Sequence, residues 1–479
     1  MKVLLVNPPR YLDRIPVVRE DRCEVTDRYA IIPPYSLLCI ASIIREEGHE
    51  VDLMDANGTD TNYKHLEDHL DFKEYDALVF RFTPTTFDWD MRMARIAKSH
   101  NERIRTVGIC LTLHTLGDQV LRRAPEIDYY LPLDWEVAIP QLSEYLDNEE
   151  EGAIQGVYYR HKNSVSYDPM NVTLEEYDTL PLPAYDLLPG MDYYRPNAPT
   201  TGNFMVLYTS KGCPFSCSYC TVANTKFKMK SVERIIEELK VLYDDYDVRL
   251  VSFFDETFTL KKSRVMGLCE QIRKRMPELR WYCNTRVNLV DDEMLHMMRE
   301  GGCRGMSFGV ESGSQRILDG VKKGIKVEEA IRAIRMAKQA GLKVYTSFIF
   351  GLPGEDQDSA RETIDFVKST LPHGAQFNIA VPYPGTPFFE HVRREGLLSK
   401  SVNWEDLFQH RSVAKTESLT GAELENIRKV AYATLYFNPN WIIQNLRWII
   451  DYPEDALLGA QYYLKSLKSL LFFCMEHSH

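Results

Sequence analysis

The chain has 479 residues and a formal charge of −12. That length suggests two to four domains at roughly 150 residues each, and the acidic balance argues against a nucleic-acid partner, which needs a basic field. No run approaches the ~20 apolar residues of a membrane span, the opening KVLLVNPP is too short for a signal segment, and the cysteines outside one cluster are scattered, which predicts a reducing, cytoplasmic setting.

Residues 1–148 alternate apolar strand and amphipathic helix. Strands are expected at 2–6, 49–55, 75–80, 103–109 and 127–131, with a helix over 34–48 among the crossovers. Short apolar strands with helical crossovers predict a doubly wound parallel sheet, and such sheets take ligands beyond the carboxyl ends of their strands. Residues 149–203 are rich in proline and read as a connector in which regular helix or interior strand is barred. Over 204–385 a second alternation begins, with strands at 204–208, 249–254, 280–285, 305–310, 342–350 and 375–381. Helices are expected at about 231–244, 261–275, 291–299, 326–340 and 356–370. Six βα units predict a partial (β/α)6 barrel whose chemistry sits on the loops after its strands. Residues 386–479 read as mostly helical, with the amphipathic, aromatic-rich stretches WIIQNLRWII and LKSLKSLLFF.

Three of the 10 cysteines fall within TSKGCPFSCSYC, as Cys213, Cys217 and Cys220. The spacing C-x3-C-x2-C follows the first barrel strand and lies on the functional rim. Zinc sites usually join a C-x2-4-C pair to a second pair or to histidines, and the next cysteine is Cys269. Three thiolates suit an iron–sulfur cube, one ligand per iron, with one iron left open for a small molecule.

With this placement, the chain resembles the radical S-adenosylmethionine (SAM) superfamily. The resemblance implies a 4Fe–4S cluster on Cys213, Cys217 and Cys220 and SAM chelated to the open iron. One electron then cleaves SAM to a 5′-deoxyadenosyl radical that abstracts hydrogen from an unactivated carbon. It also implies SAM contacts along the rim: Tyr219 in the cysteine loop, Asp255 or Glu256 in FFDETF for the ammonium, and Arg286 in WYCNTRV for the carboxylate. Glu311 and Ser312 in GVESGS would lie near the ribose, and Gly351 and Pro353 in FIFGLPGE near adenine. LLVNPPR, IPPYSLLCIASIIREEGHEVDLMDA and TLPLPAYDLLP resemble the subfamily with an N-terminal cobalamin-binding domain, whose members include methylases and anaerobic cyclases.

The resemblance implies Asn7, Thr83 and Gly108 as cobalamin contacts, but the pattern departs there. VGICLTLH puts Ile109 where the subfamily often has a second glycine, LPLDWE keeps only Glu136 of a G-E-G-E motif, and no D-x-H-x-x-G is present. His114 is expected as a loop residue rather than a cobalt ligand. The implied activity is cobalamin-assisted methylation or cyclisation; a cyclase or coupling enzyme without cobalamin and a non-catalytic iron–sulfur protein are the alternatives. Expected partners are a small-molecule substrate such as a lipid or tetrapyrrole, a flavodoxin or ferredoxin as electron donor, and a membrane face met peripherally.

Overall fold

A computed structural model of the chain describes residues 1–20, 25–26, 30–148, 154–161, 164–169, 175–196, 200–398 and 403–451. In the first sheet, Glu50–Asp55, Lys2–Asn7, Ala77–Arg81, Arg105–Ile109 and Tyr129–Leu131 lie side by side in that order, all parallel. Their apolar runs are covered on both faces, as parallel sheets require: Val3, Leu4, Leu5 and Val6 are all buried, alternating between two separate clusters. The strand order reverses between Lys2–Asn7 and Ala77–Arg81, so the loops after Asn7 and Arg81 diverge at the switch point of the sheet.

The stretch expected as a connector begins with strands. Tyr158–His161 and Ser164–Tyr167 pair antiparallel and extend the sheet from Tyr129–Leu131. No proline lies between Pro140 and Pro169, so every backbone donor there can join a ladder. The Tyr158 and Tyr167 rings stack with centroids 4.0 Å apart. Short 3-10 turns, Tyr185–Leu187 and Met191–Tyr193, follow among the prolines.

The second sheet has six parallel strands in chain order: Asn203–Leu207, Val248–Phe253, Arg280–Thr285, Cys303–Glu311, Lys343–Phe350 and Gly374–Ile379. Its crossover helices start where side chains can take the free amides of a first turn. Ser231 accepts from Arg234 N at 3.1 Å, Asp291 from Met294 N at 2.9 Å and Asp356 from Ser359 N at 2.9 Å. Val232–Asp245 buries Ile235, Ile236, Leu239 and Leu242 against the sheet. Helix Gly421–Tyr436 covers the open edge of the last strand: the Tyr432 and Tyr436 hydroxyls accept from Phe377 N and Ala375 N, both at 3.2 Å. Helix Pro439–Asp451 leaves Ile443, Leu446 and Ile450 exposed. LKSLKSLLFF lies outside the described residues, among which no helix is long and apolar enough to cross a membrane.

Contacts on opposite sides weld the sheets together. Helix Tyr35–Glu46 places Leu37, Ile40, Ala41, Ile43 and Ile44 in the core of the first sheet and Tyr35 and Leu38 in the core of the second. Beneath it, the Tyr35 and Tyr185 hydroxyls and Lys230 all reach the buried carboxylate of Glu238, at 2.7–2.8 Å. At the loop ends, Trp404 stacks edge-on to Phe87 with centroids 5.0 Å apart, and Thr115 Oγ1 meets Pro384 O at 3.5 Å.

Candidate active site

The cysteine loop leaves the first barrel strand through a two-residue stem, Ser210–Lys211, which pairs antiparallel with Lys228–Met229. Gly212 turns the chain at φ 84°, and a Cβ there would lie 2.2 Å from Lys226 O, so only glycine serves. Cys213 N donates to Thr225 Oγ1 at 2.9 Å. Ser218 N donates to Val321 O at 3.0 Å, and Ser218 O accepts from Phe388 N at 2.9 Å. The loop is thus closed on itself at one point and tied to surrounding elements at two.

All three thiols are free. Burial holds the Cys213 thiol above its ordinary value and pushes that of Cys220 up to about 12, with the neighbouring cysteines adding to both. A metal bound here would displace those protons. No three His, Cys, Asp or Glu side chains among the described residues converge on one point as a single zinc ion would demand. An iron–sulfur cube needs no such convergence, since each thiolate takes a different iron, and the triplet's proximity and chemistry fit it.

Arg286 reaches this loop from the end of the third strand. Its guanidinium stacks 3.8 Å from the Phe215 ring, donates toward Cys217 Sγ at 3.7 Å and binds Lys323 O. Glu256 faces Cys213 closely enough for its charge to raise that thiol. Asp255 is fully buried and turned the other way: it accepts from Thr209 N, Thr209 Oγ1 and Ser210 Oγ at 2.5–2.7 Å and lies 3.5 Å from Arg264. It anchors the base of the stem.

The fourth strand ends in a register shift between Gly309 and Glu311, and Glu311 sits at φ 72°. A bulge re-aims the side chain that follows it, here onto Lys323 Nζ at 2.7 Å, which also lies 3.4 Å from Tyr219 OH. A Cβ on Gly309 would lie 2.7 Å from Glu311 Oε1, so the glycine makes room for the pair. Ser312 is buried against Thr363, 3.1 Å away. Gly351, at φ 91°, donates to Glu355, and Pro353 lies in the same turn. Burial pushes the Glu355 carboxyl up to about 8.

Lys323, Lys211, Lys228 and Glu355 were not singled out by sequence. Nothing in GVKKGI chooses Lys323 over Lys322; only the bulge and the return of the chain past Tyr219 do so.

At the carboxyl end of the first sheet, polar groups are engaged within the domain. Asn7 donates to Asp55 at 2.8 Å. Thr83 N donates to Asp90, which pairs with Arg19 at 2.8 Å, and Thr83 Oγ1 meets Thr86 Oγ1 at 2.8 Å. Gly108 is overlaid by Phe82 and Ile127, whose atoms would lie 3.0–3.1 Å from a Cβ. His114 Nδ1 meets Leu111 O at 3.0 Å, and burial lowers its pKa.

The family model for the radical SAM superfamily matches residues 207–367, the span from the first barrel strand to the helix after the fifth. An uncharacterized methyltransferase of Pyrococcus horikoshii is 32% identical over 453 residues, 93% of this chain and 95% of the relative. An anaerobic magnesium-protoporphyrin IX monomethyl ester cyclase of Rubrivivax gelatinosus is 26% identical over 75% of this chain and 66% of its own length. Among solved structures, the cobalamin-dependent SAM radical enzyme OxsB superposes with a TM-score of 0.73 at 18% identity, over 99% of this chain and 71% of that one. At that identity the likeness is one of fold, and it spans both sheets. Family model and full-length relative agree with the cysteine loop: this chain belongs to the radical SAM superfamily, enzymes that use SAM and a 4Fe–4S cluster.

Proposed function

We propose that Cys213, Cys217 and Cys220 hold the 4Fe–4S cluster and that SAM binds among the rim residues that converge on their loop. A cluster bound there supplies the electron that breaks a sulfur–carbon bond of SAM. The observation that carries the reading is the convergence itself: Glu256, Arg286, Glu311 and Lys323 come from four separate segments to the loop that holds Tyr219 and the cysteines. Glu256 is better placed than the buried Asp255 to take the SAM ammonium. Arg286 holds Cys217 and offers charge to the carboxylate. Glu311 accepts from hydroxyl donors of the ribose while Lys323 orients it. Gly351 and Pro353 line the turn toward adenine.

The reaction that best fits is methyl transfer, because the relative matched over 95% of its length is named a methyltransferase, and radical chemistry would direct it to an unactivated carbon. Ring closure is the second reading, favoured by the tetrapyrrole cyclase relative. A small molecule is the substrate in either case, with an external flavodoxin or ferredoxin as reductant. Cobalamin would enter at the carboxyl ends of the first sheet, and Asn7, Thr83 and Gly108 would meet it only by exchanging their present contacts.

The test is anaerobic reconstitution with iron and sulfide, cobalamin supplied, then dithionite and SAM. About four irons per chain and release of 5′-deoxyadenosine or S-adenosylhomocysteine are expected. Intact cluster with no SAM turnover under any reductant would defeat the enzyme reading. Cofactor extraction after the same preparation separates methylation through cobalamin from a cobalamin-free reaction.

A further inference from the structure

The stem of the cysteine loop carries a charge conflict that the other domain resolves. Lys211 and Lys228 stand directly opposite each other in the stem ladder. Opposed residues project from the same face, where like charges weaken the pairing, and both lysines are buried. Their counter-charges come from the turn after the last parallel strand of the first sheet and the first turn of the helix that follows, Trp135–Asn148. Lys211 Nζ lies 3.0 Å from both carboxylate oxygens of Glu136, itself buried, and Lys228 pairs with Asp134. Between them, Trp135 sets its ring 4.8 Å from Lys211 Nζ. Asp134 holds φ 45°, a left-handed turn that aspartate accepts more readily than most residues with a side chain. Lys211 is separated from Cys213 by Gly212 alone, whose tight turn against Lys226 O leaves little slack. A displacement of either carboxylate is passed to the first thiol.

We infer that Asp134 and Glu136 are positioning residues for the cluster: the N-terminal domain sets the stem of the cysteine loop through Lys228 and Lys211, and so sets where Cys213 meets iron. This rests on the reading that the three cysteines hold the cluster. It gives the N-terminal domain a part in the barrel's chemistry that does not depend on what the domain itself binds.

The test uses the full chain, reconstituted anaerobically, with an Asp134→Asn/Glu136→Gln double variant and a charge-reversed pair, Glu136→Lys with Lys211→Glu. Iron release to a chelator, the electron paramagnetic resonance spectrum of the reduced cluster with and without SAM, and thermal melting are measured. The double variant is expected to release iron about tenfold faster, since loss of a buried charge partner acts on dissociation, with an altered spectrum. The charge-reversed pair should release iron more slowly than Glu136→Lys alone and recover the original spectrum. If the double variant does not fold, Glu136→Gln alone and the reversed pair carry the comparison. Unchanged release and spectrum overturn the inference. So does a reversed pair no better than Glu136→Lys. An unaltered chain that takes up no iron defeats the cysteine reading as well, which separates the two failures.

Discussion

At the carboxyl end of the barrel sheet, buried polar side chains reach across elements toward one loop: Arg286 to Cys217 and Lys323 to Tyr219. At the carboxyl end of the N-terminal sheet they turn back on their own domain, in Asn7–Asp55 and Arg19–Asp90–Thr83, or outward onto the barrel, in Asp134 and Glu136. Both are parallel sheets with ligand-type loop edges. The difference teaches that such an edge can serve as a mount for a neighbouring site as well as a place to bind.

The sharpest break of this comparison is at the thiols. Replacing Cys213, Cys217 and Cys220 together with alanine should remove all cluster iron and the broad visible absorbance of thiolate–iron bonds, while the far-ultraviolet circular dichroism stays as it was. A triple variant that retained the cluster would move the site elsewhere.

On the other edge, Arg19→Met leaves Asp90 buried without its cation. Both side chains are essentially inaccessible, at 1% and 0%, and stranding one member of such a pair costs about 3–5 kcal/mol. Denaturant unfolding should show that loss, and iron bound per folded chain should not change. Iron falling in step with stability would mean the two edges are less separate than the contacts indicate.

Glu311→Gln keeps an acceptor for Lys323 but removes the charge. SAM affinity, by calorimetry on the reconstituted protein, should fall by roughly 1–3 kcal/mol, the range for a hydrogen bond to a charged group. Equal affinity would take Glu311 out of the binding face and leave it as the counter-ion of Lys323.

The last effect is one of pH and concerns Glu355. Its folded pKa of about 8 lies above the ordinary value of 4.5. Between those values the folded chain keeps a proton that the unfolded chain has released. Stability is therefore fully present below the ordinary value and falls as pH rises toward the folded one, by up to about 1.4 kcal/mol per pH unit. Glu355→Gln should flatten that slope, read as denaturant midpoints at pH 6 and pH 8. Parallel slopes for both proteins would show that the carboxyl is charged in the folded state.

The strands and the main barrel helices were legible because each is a local pattern: an apolar run, a helical period, a cap. The cysteine loop was legible because its three cysteines lie within eight positions. What escaped depends on distance along the chain. Glu136 and Lys211 are 75 positions apart, and no periodicity relates them. Asp255 stands beside Glu256 in sequence, just past the end of strand Val248–Phe253, yet Asp255 is locked onto Thr209 and Ser210 at the base of the stem while Glu256 is not. The hairpin at 158–167 was obscured by the prolines that follow it. Lys323 became visible only with the bulge that aims Glu311 at it.

Helix Tyr35–Glu46 has a consequence for the order in which the molecule is made. Its Tyr35 hydroxyl finds Glu238, 203 positions later. At a synthesis rate of about 5–20 residues per second, the face that belongs to the barrel waits roughly 10–40 seconds for its cover. A nascent chain halted just after Tyr167 would present Tyr35 and Leu38 to water beside a finished sheet. The first sheet therefore emerges with a sticky seam, which closes only when the barrel has followed it out of the ribosome.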